Sequence, residues 1–148
     1  MRFLLAVFVS LFSLSALAQP VPPPVLAAKA WALVDHATGQ TLAEKDADAH
    51  IEPASLTKLM TAYITFSKLK DGSLKPDQAV PVSTRAWRME GSRMFIEPNK
   101  PVTVDELIRG VIVQSGNDAC VALAETIAGS EEAFAALMNR EAQRLGMT

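Results

Sequence analysis

One helix sets the terms for this chain. At about 100° per residue, residues 55 to 69 gather Thr57, Thr61, Thr65 and Lys68 into one narrow polar stripe. Leu59, Met60, Tyr63, Ile64, Phe66 and Leu69 cover most of the remaining surface. A helix so largely apolar is predicted to sit centrally in its fold, not on the outside. Pro53 sets where it begins, and Asp71-Gly72 ends it. Ser55 falls in the middle of the apolar arc, and Lys58 at its border.

Other elements follow from punctuation. Ala30 to Asp35 reads as a strand, His36 to Gly39 as a turn, and Gln40 to Glu44 as the returning strand. Such a hairpin needs a larger sheet. Lys75 to Lys100 is loop-rich, with a short strand over Val80 to Ser83. Thr103-Val104-Asp105-Glu106 is a capping box opening a helix that runs through Val113. After a turn at Gln114 to Gly116, Asn117-Asp118 is expected to cap a nearly all-apolar helix ending at Gly129. Ser130 caps a further helix, with Phe134, Leu137, Met138 and Leu145 as its buried face.

Bulk properties exclude some functions. The formal charge is -2 over 148 residues, so nothing favours nucleic acid. The basic residues between Lys68 and Arg109 are interleaved with Asp71, Asp77, Glu90 and Glu97, the pattern of a solvated surface. Arg2, the apolar run Phe3 to Leu14 and Ala16-Leu17-Ala18 form a secretory signal, too short to span ~30 Å of hydrocarbon. Cleavage after Ala18 would make residues 1–18 the signal peptide and residues 19–28 an extended, proline-rich lead-in. With one cysteine no internal disulfide forms. Cys120 is either a buried small hydrophobe or a free thiol, and its neighbours Ala119, Val121 and Ala122 favour burial.

The chemistry lies in two short motifs. A serine hydroxyl is a weak nucleophile and needs a base within hydrogen-bond reach. Ser55-Leu56-Thr57-Lys58 places the two polar groups on adjacent turns of one helix face. A lysine amine serves as that base only when neutral, and burial disfavours the charged form. Alone the motif is weak, since Ser-x-x-Lys arises by chance about once in 240 positions. Ser55 also suits an N-cap, and Lys58 a snorkelling surface lysine. The second motif, Ser115-Gly116-Asn117, stands in a tight turn between two apolar helices, where it either projects two polar side chains into a cleft or is plain turn chemistry. His36 and His50 read as solvated loop residues, with no cluster of ligands beside them for a metal.

Pro53 to Lys58, Gly91-Ser92-Arg93-Met94-Phe95, and Leu107 to Gly110 followed by Gln114 to Cys120 together resemble the D-alanyl-D-alanine carboxypeptidases. These are low-molecular-mass serine penicillin-binding proteins. The resemblance runs from about Ala28 to Met147. It implies an α/β (α+β) chain of the β-lactamase/transpeptidase-like fold, an antiparallel sheet flanked by helices plus a helical subdomain. It implies Ser55 as the acylated nucleophile, Lys58 as its proton acceptor, Ser115 as a proton relay and Asn117 as a ligand of the substrate amide. The implied reaction removes the terminal D-alanine from peptidoglycan pentapeptide stems, with β-lactams as inhibitors and with no cofactor or metal. The implied location is periplasmic.

The chain departs from the family pattern in one large respect. No Lys-Thr-Gly follows Asn117 before Thr148. Residues 29–148 are therefore expected to be the N-terminal part of the catalytic domain, inactive alone. The family's C-terminal segment, through which membrane association is implied, is absent here. A serine β-lactamase of the same fold is the nearest alternative, and a non-catalytic β-lactam- or cell-wall-binding module a further one. The Gln114 to Cys120 context favours the carboxypeptidase.

Overall fold

The computed structural model describes residues 22–147, so the expected signal segment lies outside the described residues. The chain divides after Ile51 into two compact units. In the first, residues 22–30 carry no helix or strand, and β1 (Trp31–Val34) pairs antiparallel with β2 (Thr41–Lys45). Trp31 faces Lys45 and Val34 faces Thr41, with a break in register between Leu33 and Val34. The turn is built by Asp35, whose Oδ1 accepts from Thr38 N at 2.8 Å and Thr38 Oγ1 at 2.7 Å. Those bonds hold the Asp35 carboxyl below its ordinary range. Gly39 follows at φ 72°, the left-handed value glycine adopts without strain.

The second unit is helical. A 3₁₀ turn, Ala54–Leu56, leads into α1 (Thr57–Lys70). β3 (Ala79–Val80) pairs with β4 (Val102–Thr103). Between them lies α2 (Thr84–Trp87), capped by Ser83, whose Oγ accepts from Ala86 N at 2.9 Å. The sequence reading had a longer strand here and no helix. α3 (Val104–Gln114), α4 (Asn117–Ala128) and α5 (Glu131–Arg144) follow. The capping box of α3 is complete: Thr103 N donates to Glu106 Oε2 at 2.7 Å, and Glu106 N to Thr103 Oγ1 at 3.3 Å. Gly129 ends α4 at φ 84°, and Ser130 caps α5 through Ala133 N.

α4 is the axle of this unit. Ala119, Val121, Ala122 and Leu123 pack with Val104, Leu107 and Val111 of α3, and with Val80, Ala86 and Ile96, in one cluster. On another side, Ala124 joins Ile64 of α1 and Phe134 of α5. Small side chains along α4 allow neighbours on several sides to approach closely. Leu145 is exposed, so the buried side of α5 stops short of the expected one.

The burial of α1 departs in part from the sequence expectation: Ile64 is buried and Met60 and Leu69 pack against the core, but two of the stripe's threonines are buried as well. Thr61 and Thr65 of the polar stripe are buried with Ile64, and the Thr65 hydroxyl donates to Thr61 O at 2.8 Å. Leu56 just before the helix, then Leu59 and Phe66, are 67%, 69% and 49% exposed. A threonine hydroxyl that bonds back to its own helix enters a core at little cost, whereas an apolar side chain is buried only where another element covers it.

Candidate active site

Four polar side chains from three places in the chain meet at the start of α1 and the start of α4. Ser55 sits in the 3₁₀ turn before α1, where Ala54 is held at φ 46°. Lys58 is in the first turn of α1. Ser115 ends α3 in the left-handed conformation, φ 54° and ψ 37°. That conformation reverses the chain sharply, and Gly116 N closes the turn onto Gly110 O at 3.0 Å. α4 then starts at Asn117.

The side chains form one hydrogen-bonded line. Lys58 Nζ donates to Ser115 O at 2.7 Å, to Ser115 Oγ at 3.0 Å and to Asn117 Oδ1 at 2.7 Å. These match the three donors of an ammonium group. Ser115 Oγ donates in turn to Ser55 Oγ at 3.1 Å. Asn117 Nδ2 donates to Glu90 O at 2.7 Å. The sequence reading paired Ser55 with Lys58 directly along a helix face. Here Ser55 belongs to the 3₁₀ turn before α1, and the Ser115 hydroxyl is hydrogen-bonded to both.

Behind this line lies a cavity of about 480 Å³, bordered by Ser55, Lys58, Thr61, Asn117, Cys120 and Phe134. Its wall carries the lone thiol. Burial pushes the Cys120 thiol up to about 11, against the pull of the Lys58 charge. Cys120 is half-buried, less than the sequence suggests, and its thiol is held in the neutral form. His36 and His50 are exposed and lie in the other unit.

The sequence reading missed Asp118. Asn117 and Asp118 were expected to cap α4, yet the N-cap residue is Gly116 and no side chain caps it. Asp118 is instead 1% exposed, with its carboxylate turned onto backbone N–H groups of Met94, Phe95 and Ile96. One signal was available: an acid followed directly by Ala119, Cys120, Val121 and Ala122 in a largely apolar helix is buried only with partners. Gly116 is fixed by the same packing. A Cβ there would come within 2.9 Å of Asp118 Oδ1.

Comparison with known proteins identifies the family and the fold. A nucleophile candidate before one helix and a Ser-Gly-Asn turn before another are set here in the fold of the penicillin-binding proteins. The structure matches that of D-alanyl-D-alanine carboxypeptidase DacD from Francisella tularensis with a TM-score of 0.78 and 41% identity, over 95% of this chain and 34% of that one. It matches a penicillin-binding protein of Listeria monocytogenes in its ampicillin-bound form with a TM-score of 0.72 and 29% identity, over 86% of this chain and 50% of that one. The family model described as D-alanyl-D-alanine carboxypeptidase matches residues 17–148. In sequence, D-alanyl-D-alanine carboxypeptidase DacC of Escherichia coli is 46% identical over 95% of this chain and 37% of its own length. The chain belongs to the D-alanyl-D-alanine carboxypeptidase family. It spans about a third of the length of the curated relatives it matches.

Proposed function

We propose that the protein is a serine-type D-alanyl-D-alanine carboxypeptidase acting on peptidoglycan stem peptides outside the cytoplasm through an acyl-enzyme on Ser55. The observation that carries this reading is the line Ser55 Oγ, Ser115 Oγ, Lys58 Nζ and Asn117 Oδ1, each link between 2.7 and 3.1 Å. Ser55 Oγ attacks the carbonyl carbon of the terminal peptide bond. Its proton passes through the Ser115 hydroxyl, which is hydrogen-bonded to both Ser55 Oγ and Lys58 Nζ, to Lys58 once that amine has given up a proton and can accept one. The carbon–nitrogen bond then breaks, and the same route returns the proton to the departing D-alanine nitrogen. Water hydrolyses the Ser55 ester and frees the shortened peptide. Asn117 Nδ2 gives one hydrogen to Glu90 O and has a second to offer a substrate carbonyl.

A β-lactam would enter by the same attack and remain as the Ser55 ester. Coverage of about a third of the relatives' length supports reading residues 29–148 as the N-terminal part of a longer catalytic domain. Among the described residues no helix is long and apolar enough to cross a membrane. We place any membrane attachment in a segment C-terminal to Thr148. The test is release of D-alanine from a peptide ending in D-alanyl-D-alanine by the full-length protein. Turnover that disappears in Ser55→Ala is expected; turnover unchanged in Ser55→Ala would refute the assignment.

A further inference from the structure

We infer that Asp118 is a positioning residue for this site: it clamps the loop Glu90 to Ile96 so that the Glu90 carbonyl fixes which end of the Asn117 amide faces Lys58. The inference rests on the proposed function only where it speaks of acylation.

The clamp is visible bond by bond. Asp118 Oδ1 accepts from Met94 N at 3.0 Å and Ala119 N at 2.9 Å. Oδ2 accepts from Phe95 N at 2.8 Å and Ile96 N at 3.2 Å. These four N–H groups fill the acceptor capacity of a carboxylate. Three come from consecutive residues, and the middle one, Phe95, is held at φ 64°. Successive N–H groups around a left-handed residue form a concave nest for an anion. Asp118 supplies the anion from within the protein.

The clamped loop reaches the site at its other end. Asn117 N donates to Ser92 O at 2.7 Å, and Asn117 Nδ2 to Glu90 O at 2.7 Å. Gly91 admits this approach, since a Cβ there would come within 2.8 Å of Asn117 Nδ2. The amide is thus read at both ends, by a carbonyl at Nδ2 and by an ammonium at Oδ1. A flipped amide would set oxygen against the Glu90 carbonyl and nitrogen against Lys58, replacing two hydrogen bonds with two repulsions. Without the loop only the Lys58 contact would hold the amide.

The test uses Asp118→Asn in the full-length protein, where an NH₂ group replaces one of the two accepting oxygens. Hydrogen exchange of the Asn117 side-chain amide, followed by NMR, is expected to quicken by roughly 10-fold, the worth of one net hydrogen bond. Backbone amides of Val121 to Ala124 should be unchanged. Acylation by a fluorescent penicillin is expected to slow by a similar factor. In an Asn117→Ala background, adding Asp118→Asn should change it by less than about 2-fold. Equal acceleration of exchange along α4, unchanged exchange at Asn117, or additive losses in the cycle would each overturn the inference. Should Asp118→Asn not fold, Asp118→Glu, which displaces the carboxylate by one methylene, goes through the same measurements. An unlabelled wild type would refute the proposed function, and the exchange measurement would still decide this inference.

Discussion

At the residue scale the site depends on what each group can donate or accept. Lys58 makes three contacts, two of them to Ser115. In the proposed mechanism it must at some stage be a neutral amine. Lys58→Arg keeps the positive charge and the donors but removes that option, because arginine stays protonated. Acylation by a penicillin is expected to fall by at least about 10²-fold, the usual worth of a general base. A near wild-type rate in Lys58→Arg would mean that another group takes the proton. Ser55, Lys58, Ser115 and Asn117 were picked out as candidates by two short motifs, each weak alone, and by the resemblance that joins them. Their arrangement was not legible. That the Ser115 hydroxyl bridges Ser55 and Lys58 follows from a left-handed turn and a 3₁₀ turn far apart in sequence. Asp118 escaped for the same reason, since its partners at Met94 to Ile96 belong to a loop with no periodic signal of its own.

At the scale of elements, the ends were easier to read than the faces. Thr103 with Glu106, Gly129 and Ser130 each act within a few residues, and all stand where the sequence put them. The cap of α3 gives a direct test. Thr103→Ala is expected to cost about 1 kcal/mol, read from denaturant unfolding. Glu106 adds a pH dependence. The Thr103 N–H, then its hydroxyl, hold the Glu106 carboxyl below its ordinary value. A lowered native value means this contribution is complete above the unfolded value of about 4.3 and fades as pH falls through the native one. The gap in melting temperature between wild type and Glu106→Ala should therefore be full near neutrality and close in acid. The face of α1 was legible only in part, since Ile64 is buried but Leu59 and Phe66 are not. Periodicity separates two sides of a helix but does not say which side finds a partner, and here the threonine side found α4.

For the whole molecule the consequence is an apolar surface. Leu56, Leu59, Tyr63 and Phe66 lie exposed along α1, and Ile112 and Val113 lie exposed near the end of α3. Monomers rarely leave contiguous apolar patches larger than a few hundred Å² bare, and covering a patch of that size is worth several kcal/mol at ~25 cal/mol/Å². That amount is comparable to the stability margin of a domain. Residues 22–148 expressed alone are therefore expected to bind the dye ANS and to show little carboxypeptidase turnover. Phe66→Gln should reduce dye binding. A cooperative melt with no dye binding would show that this surface needs no cover. The central claim, that Ser55 is the group acylated, is tested most directly by treating the full-length protein with a fluorescent penicillin and sequencing the labelled peptide by mass spectrometry. The account predicts the adduct on Ser55 and none in Ser55→Ala. An adduct on Ser115, or labelling that survives Ser55→Ala, would contradict it.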